Sequence, residues 1–101
     1  MTCNFGIQHY IDTINAYHDA GYSIGCVSDY FQHKTFDKHI LLRHDVDLSL
    51  DTALELALIE KDNEIHSTYY ILLRSGLYDA LSPRGGDIIR QIKEAGHEIG
   101  L

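Results

Sequence analysis

Two acidic residues whose spacing suits chemistry, Asp45 and Asp47, lie in the segment ILLRHDVDLS at positions 40–49. In an extended strand, residues i and i+2 point to the same face, so the two carboxylates would lie side by side. Such a pair is costly to bury unless a cation compensates its charge. Two interpretations stay open: both are solvated loop acids, with Asp47 stabilising the next helix N-terminus, or they form a divalent metal site in which one acid is a ligand and the other transfers protons.

Arg43 and His44 directly precede the acid pair. Strand alternation places Arg43 on the face of Asp45, where it either pairs with a carboxylate or stays a solvated cation, and it places His44 on the opposite face. No two histidines of the sequence have the His-x-x-x-His or His-Glu-x-x-His spacing of a metal site; they are His9, His18, His33, His39, His44, His66 and His97. Asp45 and Asp47 are therefore the centre of the candidate site, and Arg43 and His44 are its candidate supporting residues.

The first part of the chain, residues 1–37, is predicted to be a mainly helical lead-in. Apolar residues at helical spacing predict a helix over 7–20, and Gly21 follows at the position of a C-cap glycine. Residues 22–27 are predicted to form a short strand, followed by a capped turn of helix. The polar segment 32–38 is predicted to be a loop.

Residues 38–101 alternate between strand and helix patterns. The predicted elements are, in order, a strand over 38–47, a helix with Ser49 as N-cap, a strand over 67–73, a loop with Ser82-Pro83 and Gly85-Gly86, a helix from Asp87 closed by Gly96, and a strand over 97–101. The predicted core positions are Leu50, Ala53, Leu54, Ala57 and Leu58 on the first helix and Ile88, Ile89, Ile92 and Ala95 on the second. This alternation predicts an α/β fold with βαβ units and a parallel sheet.

The predicted order of elements puts the acid pair at the carboxyl end of a strand, the edge at which active sites of parallel α/β folds lie. The segment STYYILL is continuously apolar or aromatic, which predicts a strand covered on both faces. Tyr69 and Tyr70 are therefore expected to pack in the sheet rather than to stack on a sugar. Arg74 and Ser75 are expected at the rim of the site, and the acidic segment 60–64 is expected to be a solvated helix end.

The composition limits the partners that the protein can have. A net charge of -7, from 8 basic and 15 acidic residues without a Lys/Arg cluster, argues against nucleic acid and anionic membranes. No apolar run approaches a membrane span, and the N-terminus lacks a signal-peptide pattern. Cys3 and Cys26 have no metal or disulfide-framework spacing, which favours inert thiols in a reducing compartment. The 101 residues, of which 45% are hydrophobic, predict one small cytoplasmic domain.

Several sequence features occur in a fixed order: RHDVD, a helix, STYYILL, LSP before an amphipathic helix, and AGHEIGL. In order and spacing they resemble the polysaccharide deacetylase family, the NodB-homology type of carbohydrate esterase, in its RHDVD-containing branch. The resemblance covers about Ile40 to Leu101, and GHEIG after a helix is its most diagnostic part. It implies the N-terminal part of a distorted (β/α) barrel in a hydrolase that removes acetyl groups from N-acetylated or O-acetylated carbohydrate.

The resemblance also implies a role for each acid. Asp45 is the general base, and Asp47 is a ligand of a divalent metal, with zinc as the expected ion. In the family, two histidines at His-x-x-x-His spacing complete the ligand set and begin directly after a sequence such as GHEIGL, where these 101 residues end. Because a catalytic zinc takes three protein ligands, we expect a truncated chain with negligible deacetylase activity alone. We also expect self-association through an unclosed sheet edge and a structural hydrogen-bonding role for His97.

Other interpretations of the acid pair differ in how well they fit. The main alternative is a non-catalytic remnant or interaction module that keeps the start of the fold. A phosphatase of the haloacid-dehalogenase type fits less well, because Ser49 stands at the fifth motif position and Arg43-His44 interrupts the apolar lead-in. A calcium-binding EF-hand loop fails, because Leu50 and Leu56 stand where it requires glycine and glutamate.

Overall fold

A computed structural model describes residues 2–32, 38–73 and 75–101 as a mixed α/β fold with short parallel strands. The elements are α1 (Thr2–Asp19), β1 (Ser23–Gly25), α2 (Val27–Gln32), β2 (His39–Leu41), β3 (Arg43–Val46), α3 (Leu50–Asp62), β4 (Thr68–Ile71), α4 (Pro83–Glu94) and β5 (Glu98–Gly100). The predicted α/β class and the parallel strands are thus confirmed. The predicted loop over 32–38 falls mostly on 33–37, which lie outside the described residues.

The strands form two parallel sheets, β1-β2 and β3-β4-β5, and neither sheet closes within the described residues. Leu42 connects the two sheets. Its N–H donates to the carbonyl of Gly25 at 2.9 Å, and its carbonyl accepts from the N–H of Thr68 at 2.9 Å. The single strand predicted over 38–47 is therefore wrong, because at Leu42 the chain changes from pairing with β1 to pairing with β4.

Two hydrophobic clusters hold the fold together. The larger cluster joins β3 and β4 to α3 and α4, and its buried members are Val46, Leu50, Ala53, Ala57, Tyr69, Ile71, Ala80, Ile88 and Ile92. The smaller cluster packs α1 beside them through Ile11, Ile14 and Ile65. Helices α3 and α4 thus cover one face of the three-stranded sheet, and burial of these apolar side chains provides the main stabilisation.

Helix α3 begins where the sequence predicts. The hydroxyl of Ser49 accepts from the N–H of Thr52 at 3.2 Å, so Ser49 is the N-cap. The predicted core positions are buried or packed against the core except Leu58, whose exposed fraction of 43% shows that this prediction was wrong. The buried face instead continues to Glu60, three residues after Ala57, because the inward stripe of this helix runs along 50, 53, 57 and 60.

Helix α4 begins at Pro83, four residues before the predicted start at Asp87. The hydroxyl of Ser82 accepts from the N–H of Gly85 at 3.0 Å, and Pro83 occupies the first helical turn, where its missing N–H costs nothing. The Gly85-Gly86 pair therefore lies within the helix and not in a loop. The predicted inward stripe is confirmed, since Ile88, Ile92 and Ala95 are buried and Ile89 packs against the core.

Strand β4 is shorter than the predicted 67–73. Within it, Thr68, Tyr69 and Ile71 are buried, as expected for a central strand. Leu72 and Leu73 have left the sheet and are 44% and 49% exposed. Two-sided burial is therefore confirmed for the strand itself and wrong for the two leucines that follow it.

Helix α2 is anchored to the three-stranded sheet through polar contacts. The N–H of Val27 donates to the hydroxyl of Thr68 at 2.8 Å, and the N–H of Ser28 donates to the carboxylate of Glu98 at 3.1 Å. Thr68 also donates to Glu98 at 2.8 Å. Because Thr68 alternates with the core residue Tyr69, α2 lies on the face opposite α3 and α4. Among the described residues, no helix combines the length and apolar character needed to cross a membrane.

Candidate functional site

The predicted acid pair lies at the carboxyl end of β3. Asp45 is the third residue of this strand, and Asp47 follows its last residue. In the parallel sheet, Asp45 is the register partner of Tyr70, which is in turn the partner of Gly100. Both acids are exposed to solvent. Their position is the one predicted, and it leaves both carboxylates accessible to a ligand.

One open cavity of about 480 Å³ brings all four predicted residues together. Arg43, His44, Asp45 and Asp47 line it on the β3 side, and the first turns of α3 complete the wall. The site is thus formed where a strand end meets the start of the following helix, which is the usual construction of sites in α/β folds.

Arg43 forms an ion pair with Asp45, which decides between the two interpretations of Arg43. Its Nη2 lies 2.7 Å from Oδ1 of Asp45, and its Cζ lies 4.3 Å from the ring centroid of Tyr70. The hydrogen bond to Asp45 raises the pKa of the guanidinium. Both side chains of the pair are more than half exposed, so the pair orients Asp45 more than it stabilises the fold.

The ring of Tyr70 is confined between neighbouring groups. Arg43 covers the ring, and a Cβ atom on Gly100 would lie 2.5 Å from its Cε1, so only glycine fits at that position on β5. Tyr69 is completely buried, and its hydroxyl is hydrogen-bonded inside the protein. Packing of Tyr69 in the sheet is therefore confirmed.

Behind the cavity lies a buried carboxylate that the sequence interpretation missed. Glu60 has an exposed fraction of 0%. Its Oε2 accepts from the Tyr10 hydroxyl at 2.5 Å and from Nε2 of His44 at 2.8 Å. Its Oε1 accepts from the Ser67 hydroxyl at 2.7 Å and from the Tyr69 hydroxyl. We call these five residues the Glu60 cluster; the prediction that 60–64 is a solvated segment is wrong at Glu60.

The Glu60 cluster keeps its carboxyl group ionised. Burial alone would raise the pKa of Glu60, but the four hydrogen bonds to the ionised form outweigh it and hold the pKa below its ordinary value. Burial, followed by the bond to Glu60, raises the pKa of both Tyr10 and Tyr69. An ionised acceptor requires that His44 donates from Nε2, and this bond keeps the ring on the face opposite Asp45, as predicted.

His97 has the structural role predicted for it. The ring is buried, its Nδ1 accepts from the N–H of Ser67 at 3.2 Å, and its Nε2 donates to the carbonyl of Ala57 at 2.8 Å. Nδ1 also lies 3.9 Å from Glu60. Since this nitrogen accepts a hydrogen bond, the ring is neutral and makes no ion pair with the carboxylate.

The described residues do not fit a catalytic zinc ion. In the ranges 2–32, 38–73 and 75–101, no three His, Cys, Asp or Glu side chains are grouped so that they could hold a metal. Asp45 is already paired with Arg43, and Asp47 has no hydrogen-bond partner within these ranges. A catalytic zinc ion is typically held by three protein ligands.

Two further residues, Arg74 and Ser75, were predicted at the rim of the site. Arg74 lies outside the described residues. The Ser75 hydroxyl accepts from the N–H of Leu77 at 3.1 Å.

Comparison with known proteins gives no relative for this chain. No protein family, no curated protein and no solved structure matches it. The resemblance to polysaccharide deacetylases is one of motif order in the sequence alone.

Proposed function

We propose that this chain is the N-terminal part of a hydrolase of the polysaccharide deacetylase type, which removes acetyl groups from N-acetylated or O-acetylated carbohydrate. The observation that carries the proposal is the exposed pair Asp45 and Asp47 in one cavity of about 480 Å³ at the carboxyl end of β3. Sites of parallel α/β enzymes lie at this edge. In the proposal, the five strands are the beginning of a distorted (β/α) barrel.

In the proposed reaction, Asp45 is the general base. Its carboxylate is exposed to water, and the 2.7 Å contact with Arg43 fixes one oxygen, so the other oxygen can take a proton from the attacking water. Asp47 is the proposed metal ligand because its side chain is exposed and has no hydrogen-bond partner among the described residues. A divalent metal such as zinc needs further ligands, which the described residues do not provide.

The proposal is tested by mapping where an acetylated sugar binds. We expect chitotetraose to shift the backbone NMR signals of residues 43–49, whereas cellotetraose, which lacks the acetamide groups, shifts them little. Asp45→Asn and Asp47→Asn should each reduce the effect of chitotetraose. Equal shifts with both sugars, or shifts confined to other parts of the chain, would contradict an acetyl-specific site at the end of β3.

Activity of the isolated chain is a separate expectation. We expect the purified chain with added Zn²⁺ to release negligible acetate from chitin oligosaccharides, because a single free carboxylate binds a divalent ion weakly. Substantial release that depends on metal and disappears in Asp45→Asn would support the reaction and refute the expected inactivity.

The second candidate is a non-catalytic interaction module. The observation that favours it is that the described residues contain no group of three metal ligands. Under this candidate, the acids have no special role, so chitotetraose should leave residues 43–49 unperturbed in the wild-type chain. The sugar titration therefore separates the two candidates.

A further inference from the structure

Three helices of this protein end in the same hydrogen-bonded turn. At the end of α1, Gly21 donates to the carbonyl of His18 at 3.0 Å, and the next residue donates five positions back at 3.0 Å. At the end of α4, Gly96 and its successor make the equivalent bonds at 3.0 and 3.4 Å. At the end of α3, Glu64 and Ile65 make them at 3.1 and 2.8 Å. This pair of hydrogen bonds defines the Schellman motif.

The central residue of each turn has a positive φ. This residue is glycine at the ends of α1 and α4 but glutamate at the end of α3. Gly21 has a φ of +94° and Gly96 a φ of +98°, as expected because glycine has no Cβ to clash. Glu64 holds a φ of +59°, which is costly for a residue with a side chain. Its negative charge also lies at the helix end that carries the partial negative charge. Glu64 is therefore disfavoured both by its backbone and by its charge.

Glu64 lines a cavity of about 440 Å³ at the amino ends of the strands, away from Asp45 and Asp47. The C-terminal half of α1 and the end of α3 form its walls. Its polar wall residues include Asn15, His18, Asn63 and Glu64, and its apolar floor contains Ile14 and Ile65. The side chains of Asn15 and Glu64 have no hydrogen-bond or ion-pair partner among the described residues.

The polar groups of this cavity favour a positive ligand. Glu64 contributes a full negative charge, and Asn63, whose Nδ2 donates to the carbonyl of Ile59 at 2.9 Å, keeps its side-chain oxygen available as an acceptor. The C-terminal ends of α1 and α3 add partial negative charge. The floor of Ile14 and Ile65 offers apolar contact for a short hydrocarbon chain.

We propose that this cavity is a binding site for a small organic cation, an alkylammonium or alkylguanidinium, with Glu64 as its anionic anchor. The cationic head would pair with Glu64 and the amide oxygen of Asn63, and the alkyl part would lie on the isoleucine floor. This role would account for a glutamate on α3 at a turn where α1 and α4 have glycine. The proposal is independent of any activity at Asp45 and Asp47.

The first test uses n-butylammonium and methylguanidinium as probes at pH 8, a pH at which imidazoles are mostly neutral. In an NMR titration at constant ionic strength, the signals of residues 14–24 and 63–65 should shift, and Glu64→Gln should weaken binding at least about fivefold. The control Glu55→Gln, on the exposed side of the same helix, should bind like wild type. The proposal is overturned if n-butanol or sodium ions give the same shifts, or if Glu64→Gln binds as tightly as wild type.

The second test separates the backbone cost from the ligand role. Glu64→Gly should raise the Tm by about 4 °C, because glycine accepts the positive φ, and should abolish binding of n-butylammonium. Glu64→Gln keeps the positive φ and removes only the unfavourable charge, so its Tm should lie between those of wild type and Glu64→Gly. A Glu64→Gly variant that is less stable than wild type would contradict the backbone cost at Glu64, and one that still binds the cation would overturn the proposed anchor.

Discussion

The two faces of β3 carry carboxylate sites of opposite character. On one face, Asp45 is 55% exposed and has a single partner, Arg43. On the other face, His44 leads to Glu60, which is fully buried and accepts four hydrogen bonds. Adjacent residues of one strand thus carry an exposed carboxylate and contact a buried one, although both residues line the same cavity. A carboxylate of this fold is thus available for chemistry where its partners are few and exposed.

Removal of the two carboxylates has different energetic consequences because their remaining partners differ in burial. Loss of the buried carboxylate leaves the hydroxyls of Tyr10, Ser67 and Tyr69 without their acceptor. Loss of an exposed carboxylate leaves only a cation that water can solvate.

Replacing the buried carboxylate should have the largest effect. Glu60→Gln is expected to lower the free energy of unfolding by about 3 kcal/mol, because an amide presents N–H donors to neighbours that are themselves donors. Urea denaturation at pH 7 measures this loss. The matched control is Glu55→Gln on the same helix, which should leave the midpoint unchanged. Similar stabilities for the two variants would remove the contrast between the two faces of β3.

Acid should lower the stability of the folded protein by protonating Glu60. The pKa of Glu60 lies below its ordinary value of 4.5, so the carboxyl group is more acidic in the folded chain than in the unfolded chain. Its stabilisation is complete above the unfolded pKa and is lost as the pH falls through the folded pKa. Denaturation midpoints should therefore fall in wild type below about pH 4.5, and more steeply than in Glu60→Gln. Parallel acid profiles would mean that Glu60 does not govern this loss.

The link from the Glu60 cluster to α1 should have an intermediate effect. Tyr10→Phe removes the hydroxyl that donates to Glu60 and is expected to cost about 1 kcal/mol. Relative to wild type, the hydrogen-exchange rate of backbone amides should rise more in α1 than in α4. The control is Tyr17→Phe, since Tyr17 is 45% exposed and its hydroxyl has no hydrogen-bond partner among the described residues. If exchange rises equally in α1 and α4, the Tyr10 hydroxyl stabilises the whole fold and has no local effect on α1.

The exposed ion pair should have the smallest effect. Arg43→Gln and Asp45→Asn should each leave the urea midpoint within experimental error of wild type, because water replaces the lost partner. The same variants should still change the response of residues 43–49 to chitotetraose. A clear loss of stability in either variant would assign the pair a structural role and weaken the case for a functional one.

Local signals in the sequence predicted much of this fold. The N-cap Ser49, the glycines that end α1 and α4, and the Ile88–Ile92 stripe depend on residues close in the chain, and the structure agrees with each of them. The break at Leu42 could not be predicted, because it depends on which strands lie on either side of the chain. Tertiary pairing decides such features and local propensity does not.

The candidate site was predictable to a similar degree. Strand alternation correctly separated His44 from Asp45, and it put Arg43 within reach of Asp45. Glu60 was missed because its charge suggested solvent, although its spacing of three from Ala57 and ten from Leu50 puts it on the buried stripe. Its partners come from α1, β3 and β4, and no local pattern identifies donors that distant in the chain.

The anchoring of α2 has a consequence for how the chain folds during synthesis. The carboxylate of Glu98 binds the N–H of Ser28, a residue 70 positions earlier. A nascent chain grows from its N-terminus, so α2 is made long before its anchor exists. The contact between Ser28 and Glu98 therefore cannot form until β5 has left the ribosome exit tunnel, whereas the contact between Val27 and Thr68 can form as soon as β4 is available.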